Sequence, residues 1–555
     1  MTESLRKRFS THEVTNQAPL LGPYNAWTTD MPLREAVKRE GGAWAEKELS
    51  NLGAAVGGEM MALGFLANEN KPLHKPFDRF GQRIDEVEFH PAYHRLMALG
   101  VQHGVANFSW RHHDKVGAHV ARAALMYLYA QADQGTCCPL TMTHAAVPVL
   151  RQSPVLAATW LPRILSAEYD ARHVPAWMKH GNTIGMGMTE KQGGSDVRTN
   201  TTRATPVGNG GPGELYELVG HKWFMSAPMC DAFLVLAQAA GGISCFLLPR
   251  FMPHRAGHGE RNAIQIQRLK NKLGDWSNAS AEVEFQGALG WMIGAEGRGL
   301  ATILEMVALT RHDCMIGSAA IMRQALVQAI QHCRHRRAFG KLLIEQPLMQ
   351  MVLADLALEV EAAMAFSLRV AGAIDAATRD PAAAAFARIA TAIGKYWICK
   401  RCPAVVNEAQ ECLGGAGYVE ESILPRLYRQ APLNSIWEGS GNIQCLDVLR
   451  ALSREPATRA ALFAELAKAK GANTLLDAEI SALALQLDDA TEVEKRSRFL
   501  VERMALTLQA ATLVTAGDHL VSDNFCQSRF GSVSGTTFGT LAAAAPITQL
   551  IARAF

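Results

Sequence analysis

Apolar positions recur at intervals of three and four in runs such as "LREAVKREGGAWAEKELSNLGAAV" and "HVARAALMYLYAQADQG", with no strand-type alternation, which predicts a helical domain over residues 1–184. Between 185 and 290 the texture changes to short β-rich runs, "LYELVGHKWFMS", "AFLVLAQ", "SCFLLP", "AIQIQRL" and "AEVEF", broken by clusters such as "VGNGGPGE". A compact β-domain is expected there. From Glu296 long amphipathic patterns return, "GLATILEMVALTRHDCMIGSAAIMRQALVQAIQHCRHR", "QPLMQMVLADLALEVEAAMAFSLRVAGAIDAAT" and "PAAAAFARIATAIGKYWICKRCPAVVNEAQECLGG". Helices of this length predict an antiparallel bundle over 291–455. Residues 456–555 form a further Ala- and Leu-rich helical domain whose end, "GSVSGTTFGTLAAAAP", reads as loosely structured. The fold class is mainly α with a central β-domain.

Composition narrows this picture only a little. The chain has 555 residues, enough for several domains, and its 48% hydrophobic content is that of a globular protein. A net charge of +3 gives no ground for nucleic-acid binding from charge alone. The opening "MTESLRKRFSTHEVTNQ" lacks the apolar core of a signal peptide, and no run of eighteen or more apolar residues occurs. A cytoplasmic protein without a membrane span is the expectation. Eleven cysteines, an odd number, fit reduced thiols. Cys399 and Cys402 have CxxC spacing but no second pair at zinc-ribbon distance, so they read as structural thiols rather than a metal or redox site, and no metal is expected. "QHCRHRRAFG" reads as a basic loop, since its arginines repel a cation.

Candidate chemistry begins in "GMGMTEKQGGSDV", residues Gly185 to Val197. Thr189, Ser195 and free N–H groups beside Gly193 and Gly194 suit phosphate or the carbonyl edge of a heterocycle, and a plain surface turn has the same composition. In "HKWFMSAP", Lys222, Phe224 and Ser226 alternate along a strand, so that an aromatic and a hydroxyl face a flat ring from one side. Glu438 in "NSIWEGSGN" follows Trp437 and precedes Gly439, Ser440 and Gly441. It reads either as a catalytic carboxylate or as an acid favoured near a helix start.

Taken in order, "MTEKQGGSDV", "LVGHKW", "RRAFGKLLIEQP", "CLGGAGYVEE" and "NSIWEGSGNIQCLDVLR" resemble the acyl-CoA dehydrogenase superfamily and, over nearly the whole chain, its AidB-like alkylation-response flavoprotein branch. The resemblance implies a helical domain, a β-barrel and a four-helix-type bundle, with FAD between barrel and bundle, in a homotetramer built as a dimer of dimers. It implies that Met188 and Thr189 bond the flavin's pyrimidine edge and that Gly194 and Ser195 meet its pyrophosphate. Ser226 then faces flavin N5, and Phe224 stands where most relatives carry tryptophan. Arg336 and Phe339 reach a neighbouring subunit's flavin, and Gly414 and Gly415 line its adenosine end, although Glu411 replaces the usual glutamine. Ser440 and Asn442 match nucleotide contacts, and Trp437 borders the flavin pocket.

In such enzymes the carboxylate at Glu438 removes the proton α to a thioester carbonyl while a hydride passes to flavin, which needs a desolvated base and fixed donors for the enolate oxygen, the backbone N–H of Glu438 among them. An alternative base position falls on Thr310, just ahead of Arg311, and leaves Glu438 without a rival. Arg450 matches a charged partner near the flavin pocket. The branch is associated with double-stranded DNA and protection from alkylating agents, the contact lying in the last domain, yet residues 456–555 carry nine basic against ten acidic side chains. Lys495, Arg496, Arg498 and Arg503, with Arg529, are the candidate DNA contacts. Two readings follow: a DNA-associated flavoprotein acting on alkylating small molecules, and an acyl-CoA dehydrogenase for a short or branched acyl-CoA.

Overall fold

The computed structural model describes residues 9–253, 259–532 and 535–555. Met1–Arg8 of the charged opening, and Val533 and Ser534 of "GSVSGTTF", lie outside the described residues.

Helix α1 (Met31–Arg39) starts where the Asp30 carboxylate accepts from the Leu33 N–H at 3.1 Å. It ends before Gly41, whose φ of +91° breaks the long predicted run, and α2 (Glu46–Ala55) starts afresh. A π-turn over Val56–Met60 leads into α3 (Met61–Glu69). Strand pairing follows where none was expected: β1 (Leu73–Phe77) and β2 (Arg83–Glu88) form an antiparallel hairpin. Polar groups meet across it, Lys75 with Glu88 and His74 with Asp85 at 3.4 Å, and a register shift interrupts it, so no apolar alternation marks it in the sequence. Helices α4 (Pro91–Gln102), α5 (Phe108–Arg111), α6 (Ala118–Ala130), α7 (Cys137–Arg151) and α8 (Pro154–Ile164) complete this part, with α6 and α7 buried almost throughout.

The predicted β-runs are strands: β3 (Ile184–Gly187), β4 (Arg203–Pro206), β5 (Leu215–Ser226), β6 (Ala232–Ala239), β7 (Gly242–Pro249), then β8 (Phe251–Pro253) paired with β9 (Gly259–Arg261), β10 (Ile264–Leu269) and β11 (Ser280–Ile293). The order β10-β11-β5-β4-β6-β3, with β7 bonded to both β6 and β11, closes the sheet on itself as a barrel. One irregularity matters for the site. Ala281 pairs with Met225 and Val283 with Lys222, so a bulge places two residues of β5 opposite one of β11.

Helices α9 (Gly299–His335), α10 (Pro347–Ala376) and α11 (Pro381–Cys412) pack on one another as the bundle, and α9 also lies against α6 and α7. The first half of "QHCRHRRAFG" is therefore helix, ending α9, and after Arg336 β12 (Arg337–Ala338) and β13 (Lys341–Leu342) form a small hairpin. Helices α12 (Leu424–Gln430) and α13 (Gly441–Arg454) lead to the C-terminal layer: α14 (Pro456–Ala467), α15 (Thr474–Asp488), α16 (Val493–Ala516), α17 (His519–Phe530) and α18 (Ile547–Ala554). This layer sits directly on α10 and α11. Two helical stretches, Ala43–Glu69 and Val493–Ala516, are long and apolar enough to cross a membrane, and the second is packed against α10, α11 and α13.

All eleven cysteines are free and buried, and Cys399 donates to the Cys314 carbonyl at 3.4 Å inside the bundle. Among the described residues no group of His, Cys, Asp or Glu is arranged to hold a metal.

Candidate active site

Glu438 lies in the turn between α12 and α13, with φ +57°, followed by Gly439 at φ +93°. A left-handed non-glycine residue costs on the order of 1–3 kcal/mol, so the surroundings must hold it. They do so through carbonyls. Arg311 Nε on α9 donates to the Glu438 carbonyl at 3.0 Å, and Gln444 Nε2 on α13 donates to those of Glu438 and Gly439, both at 3.0 Å. Lys395 on α11 reaches the carbonyls of Trp437 at 2.7 Å and Gly439 at 2.5 Å. Arg311 is in turn paired with Asp447 at 2.9 Å.

The Glu438 side chain does not cap α13. Its Oε2 accepts from Thr310 Oγ1 at 2.7 Å, so the carboxylate is turned across to α9. Burial pushes its carboxyl above the ordinary range, against the Thr310 hydrogen bond and the nearby Arg311 and Lys395 charges, which pull it down. An upward shift moves a carboxyl towards the range in which general bases operate. Thr310, the rival position in sequence, is its hydrogen-bond donor.

The barrel brings a second set of groups to the same place. Beyond the bulge, Phe224 is 51% exposed and Ser226 half-buried, while Met225 between them points inward. Ser226 Oγ lies 3.1 Å from Ser280 Oγ. Burial pushes the Cys138 thiol, at the start of α7, up to about 12, and the smaller influences on it include the Ser226 hydroxyl and the Glu438 carboxyl. Lys222 does not share that face. The bulge changes the phase of β5, and Lys222 is fully buried in the barrel, bonded to Glu190 Oε1 and the Leu236 carbonyl, each at 2.8 Å. Glu190 also accepts from the Thr201 and Thr202 N–H groups at 2.7 and 3.2 Å, so this pair, missed in the sequence, anchors the glycine-rich loop from within.

On that loop Met188 and Thr189 are half-buried and Ser195 is exposed. A Cβ at position 194 would come within 2.4 Å of Thr189 Oγ1, so the loop closes over Thr189 only because Gly194 has no side chain. Open backbone, three hydroxyls and an exposed aromatic ring make a donor set that fits a flavin nucleotide.

Other predicted positions lie at the margins. Arg336 ends α9, and Phe339 sits at the tip of the following hairpin, 99% exposed with φ +52°. Gly414 and Gly415 are exposed, with open space where side chains would stand. Trp437 Nε1 donates to Asn434 at 2.9 Å, Ser440 precedes α13, and exposed Asn442 meets Arg498 at 3.4 Å. Arg450 is not a partner of Glu438. It lies nine residues along α13 from Gly441, roughly 13 Å at 1.5 Å per residue, and faces Asp447 at 3.9 Å. Arg311 and Lys395, which come from other helices, fill that role.

The basic cluster is not one free stripe either. Arg503 pairs with Glu479 at 2.6 Å, Arg496 with Asp489 at 3.3 Å and Lys495 with Glu492. Arg529, on α17, turns inward to Asp355 and Glu359 at 2.8 and 3.0 Å. Arg498 lies 3.3 Å from the Tyr396 hydroxyl.

Comparison with known proteins agrees with this arrangement. Residues 16–171 match the adaptive response protein AidB N-terminal domain, 185–288 the acyl-CoA dehydrogenase middle domain and 297–453 the acyl-CoA dehydrogenase C-terminal domain. The chain is 46% identical to the AidB protein of Escherichia coli (strain K12) over 94% of each chain. Among solved structures it is similar to Bd2924 in its apo form, with 30% identity and a TM-score of 0.82 over 91% of this chain and 100% of that one. Caenorhabditis elegans ACDH-11, solved in complex with C11-CoA, has 25% identity and a TM-score of 0.82 over 100% of this chain and 95% of that one.

Proposed function

The chain belongs to the acyl-CoA dehydrogenase family and is an FAD-dependent oxidoreductase of its AidB branch; from that premise we propose that it oxidises a short or branched acyl-CoA thioester with Glu438 as base. The observation that carries this reading is the Glu438 carboxylate turned across to Thr310 on a left-handed turn whose carbonyls are held from three helices, with burial raising its pKa. Bound FAD supplies the acceptor for the hydride. The residues to hold it are Met188, Thr189, Gly194, Ser195, Phe224 and Ser226 of one subunit with Trp437, Ser440 and Asn442, completed by Arg336, Phe339, Gly414 and Gly415 of a neighbour. On this reading the protein is a cytoplasmic homotetramer. Glu438 takes the α-proton, and its own N–H holds the thioester oxygen as charge builds there.

Anaerobic titration with a panel of acyl-CoA thioesters tests the proposal on wild type beside Glu438→Gln. Flavin bleaching in wild type and its loss in the variant, with flavin still bound, is the expected result. A wild type bleached by no member of the panel would overturn it.

The match to an adaptive response protein favours a second reading, a DNA-associated role in protection against alkylating agents. Lys495, Arg496 and Arg498 are its remaining candidate contacts, since Arg503 and Arg529, with side chains 20% and 15% exposed, are the least exposed of the five. Absence of salt-dependent duplex binding in a gel-shift series would sink this reading.

A further inference from the structure

Three consecutive carbonyls, those of Trp437, Glu438 and Gly439, are each held by a side chain from another element. Lys395 differs from the other two holders. It is 1% exposed, comes from the middle of α11, and alone reaches the Trp437 carbonyl, at 2.7 Å. That carbonyl and the Glu438 N–H belong to one peptide unit. Among the described residues the Glu438 N–H bonds to no backbone carbonyl, so it is available to a ligand. A peptide whose C=O accepts from an ammonium becomes a stronger N–H donor, because hydrogen bonds in a chain polarise one another.

We propose that Lys395 is a positioning residue that acts through the Trp437–Glu438 peptide, strengthening the Glu438 N–H as donor to the thioester carbonyl oxygen of an acyl-CoA. The inference rests on the dehydrogenase reading above. When the α-C–H bond breaks, its proton goes to the Glu438 carboxylate and its electron pair moves into the adjoining carbon–carbon bond, loading negative charge on that oxygen. A polarised donor holds this charge better than a plain amide. Gln444 shares the Glu438 and Gly439 carbonyls but does not touch that of Trp437, so it supports the turn without this link.

The test uses acetoacetyl-CoA, which ionises at the carbon between its two carbonyls with no redox step. Its enolate absorbance is followed against pH on the flavin-loaded protein. Lys395→Met should leave about tenfold less enolate at a given pH below the midpoint, an upward shift of about one unit, with Lys395→Arg restoring most of it. Lys395→Gln, which keeps a neutral donor, should fall between, and it preserves the comparison if the Met variant fails to fold. Equal enolate midpoints in wild type and Lys395→Gln or Lys395→Met would overturn this inference alone. A wild type that neither binds nor ionises the probe would overturn the dehydrogenase reading and this inference with it.

Discussion

Thr310 Oγ1 donates to Glu438 Oε2 at 2.7 Å, joining positions 128 residues apart. The hydroxyl stabilises the ionised carboxylate, so Thr310→Val removes an influence that lowers its pKa and the carboxyl moves further up. On the dehydrogenase reading Glu438 works as base only when ionised, and activity therefore rises with pH through that pKa. A hydrogen bond to a charged group is worth about 1.5–3 kcal/mol, so the acid limb of the flavin-reduction rate should shift upward by roughly one to two units. A pH profile of single-turnover reduction checks it, and an unmoved limb would show that another group sets it.

The Lys222–Glu190 pair gives a stability prediction. Burial pushes Glu190 up, but Lys222 and the threonine N–H bonds outweigh it and hold the carboxyl at about 2. Lys222→Met strands a buried carboxylate and should cost about 3–5 kcal/mol in urea unfolding at neutral pH. Because the folded pKa is depressed, the wild-type contribution is present above about 4.5 and is lost as pH falls towards about 2. The variant's deficit should shrink over that window.

Much of this was legible in the sequence because short apolar runs bounded by glycine and proline left little freedom: "LYELVGHKWFMS" is β5 from first residue to last. The position of Glu438 was legible too. Lys222 was misplaced because a bulge between Ala281 and Val283 is a property of pairing, which no single strand displays. The β1–β2 hairpin escaped because polar cross-strand contacts rather than alternating apolar groups mark it. Spacing along one helix likewise says nothing of which neighbouring helices deliver Arg311 and Lys395 to the turn. A lone lysine in the apolar stretch "ATAIGKYWIC" was the signal for the latter, and it is buried.

Phe339 is exposed and left-handed, so its own subunit gains nothing from the side chain. If it meets a neighbour's flavin, Phe339→Gly should leave the fold intact, relax the backbone by up to about 1 kcal/mol and weaken FAD retention. Flavin content after gel filtration, beside circular dichroism, measures both. Unchanged retention would remove Phe339 from the cofactor site.

Three buried histidines of the helical core predict acid sensitivity. Burial draws His119 down to about 4, and His144 and His312 are also lowered, the former packed on Trp110 at 5.2 Å. Arg122, Asp313 and Asp375 are the charges facing them. The unfolded chain binds more protons than the native one between about 4 and about 6.5, so stability should fall as pH drops through that window, by about 3 kcal/mol for His119 alone. Urea midpoints at pH 7 and pH 5 for wild type and His119→Gln should converge at the lower pH.

Arg529 separates a structural cation from a nucleic-acid contact. Its side chain is 15% exposed and bridges Asp355 and Glu359, so Arg529→Ala leaves Asp355 without its cation and Glu359 with Arg401 alone, and should lower unfolding stability by about 3–5 kcal/mol. It should not change the salt slope of duplex binding. Neutralising Lys495, Arg496 and Arg498 together should do the reverse, reducing the slope by up to about 3 with little effect on stability, since each phosphate contact contributes about one. The two variants compared over one salt series decide whether α16 carries a nucleic-acid surface: a slope unchanged in the triple variant would mean that these cations only solvate a helix face.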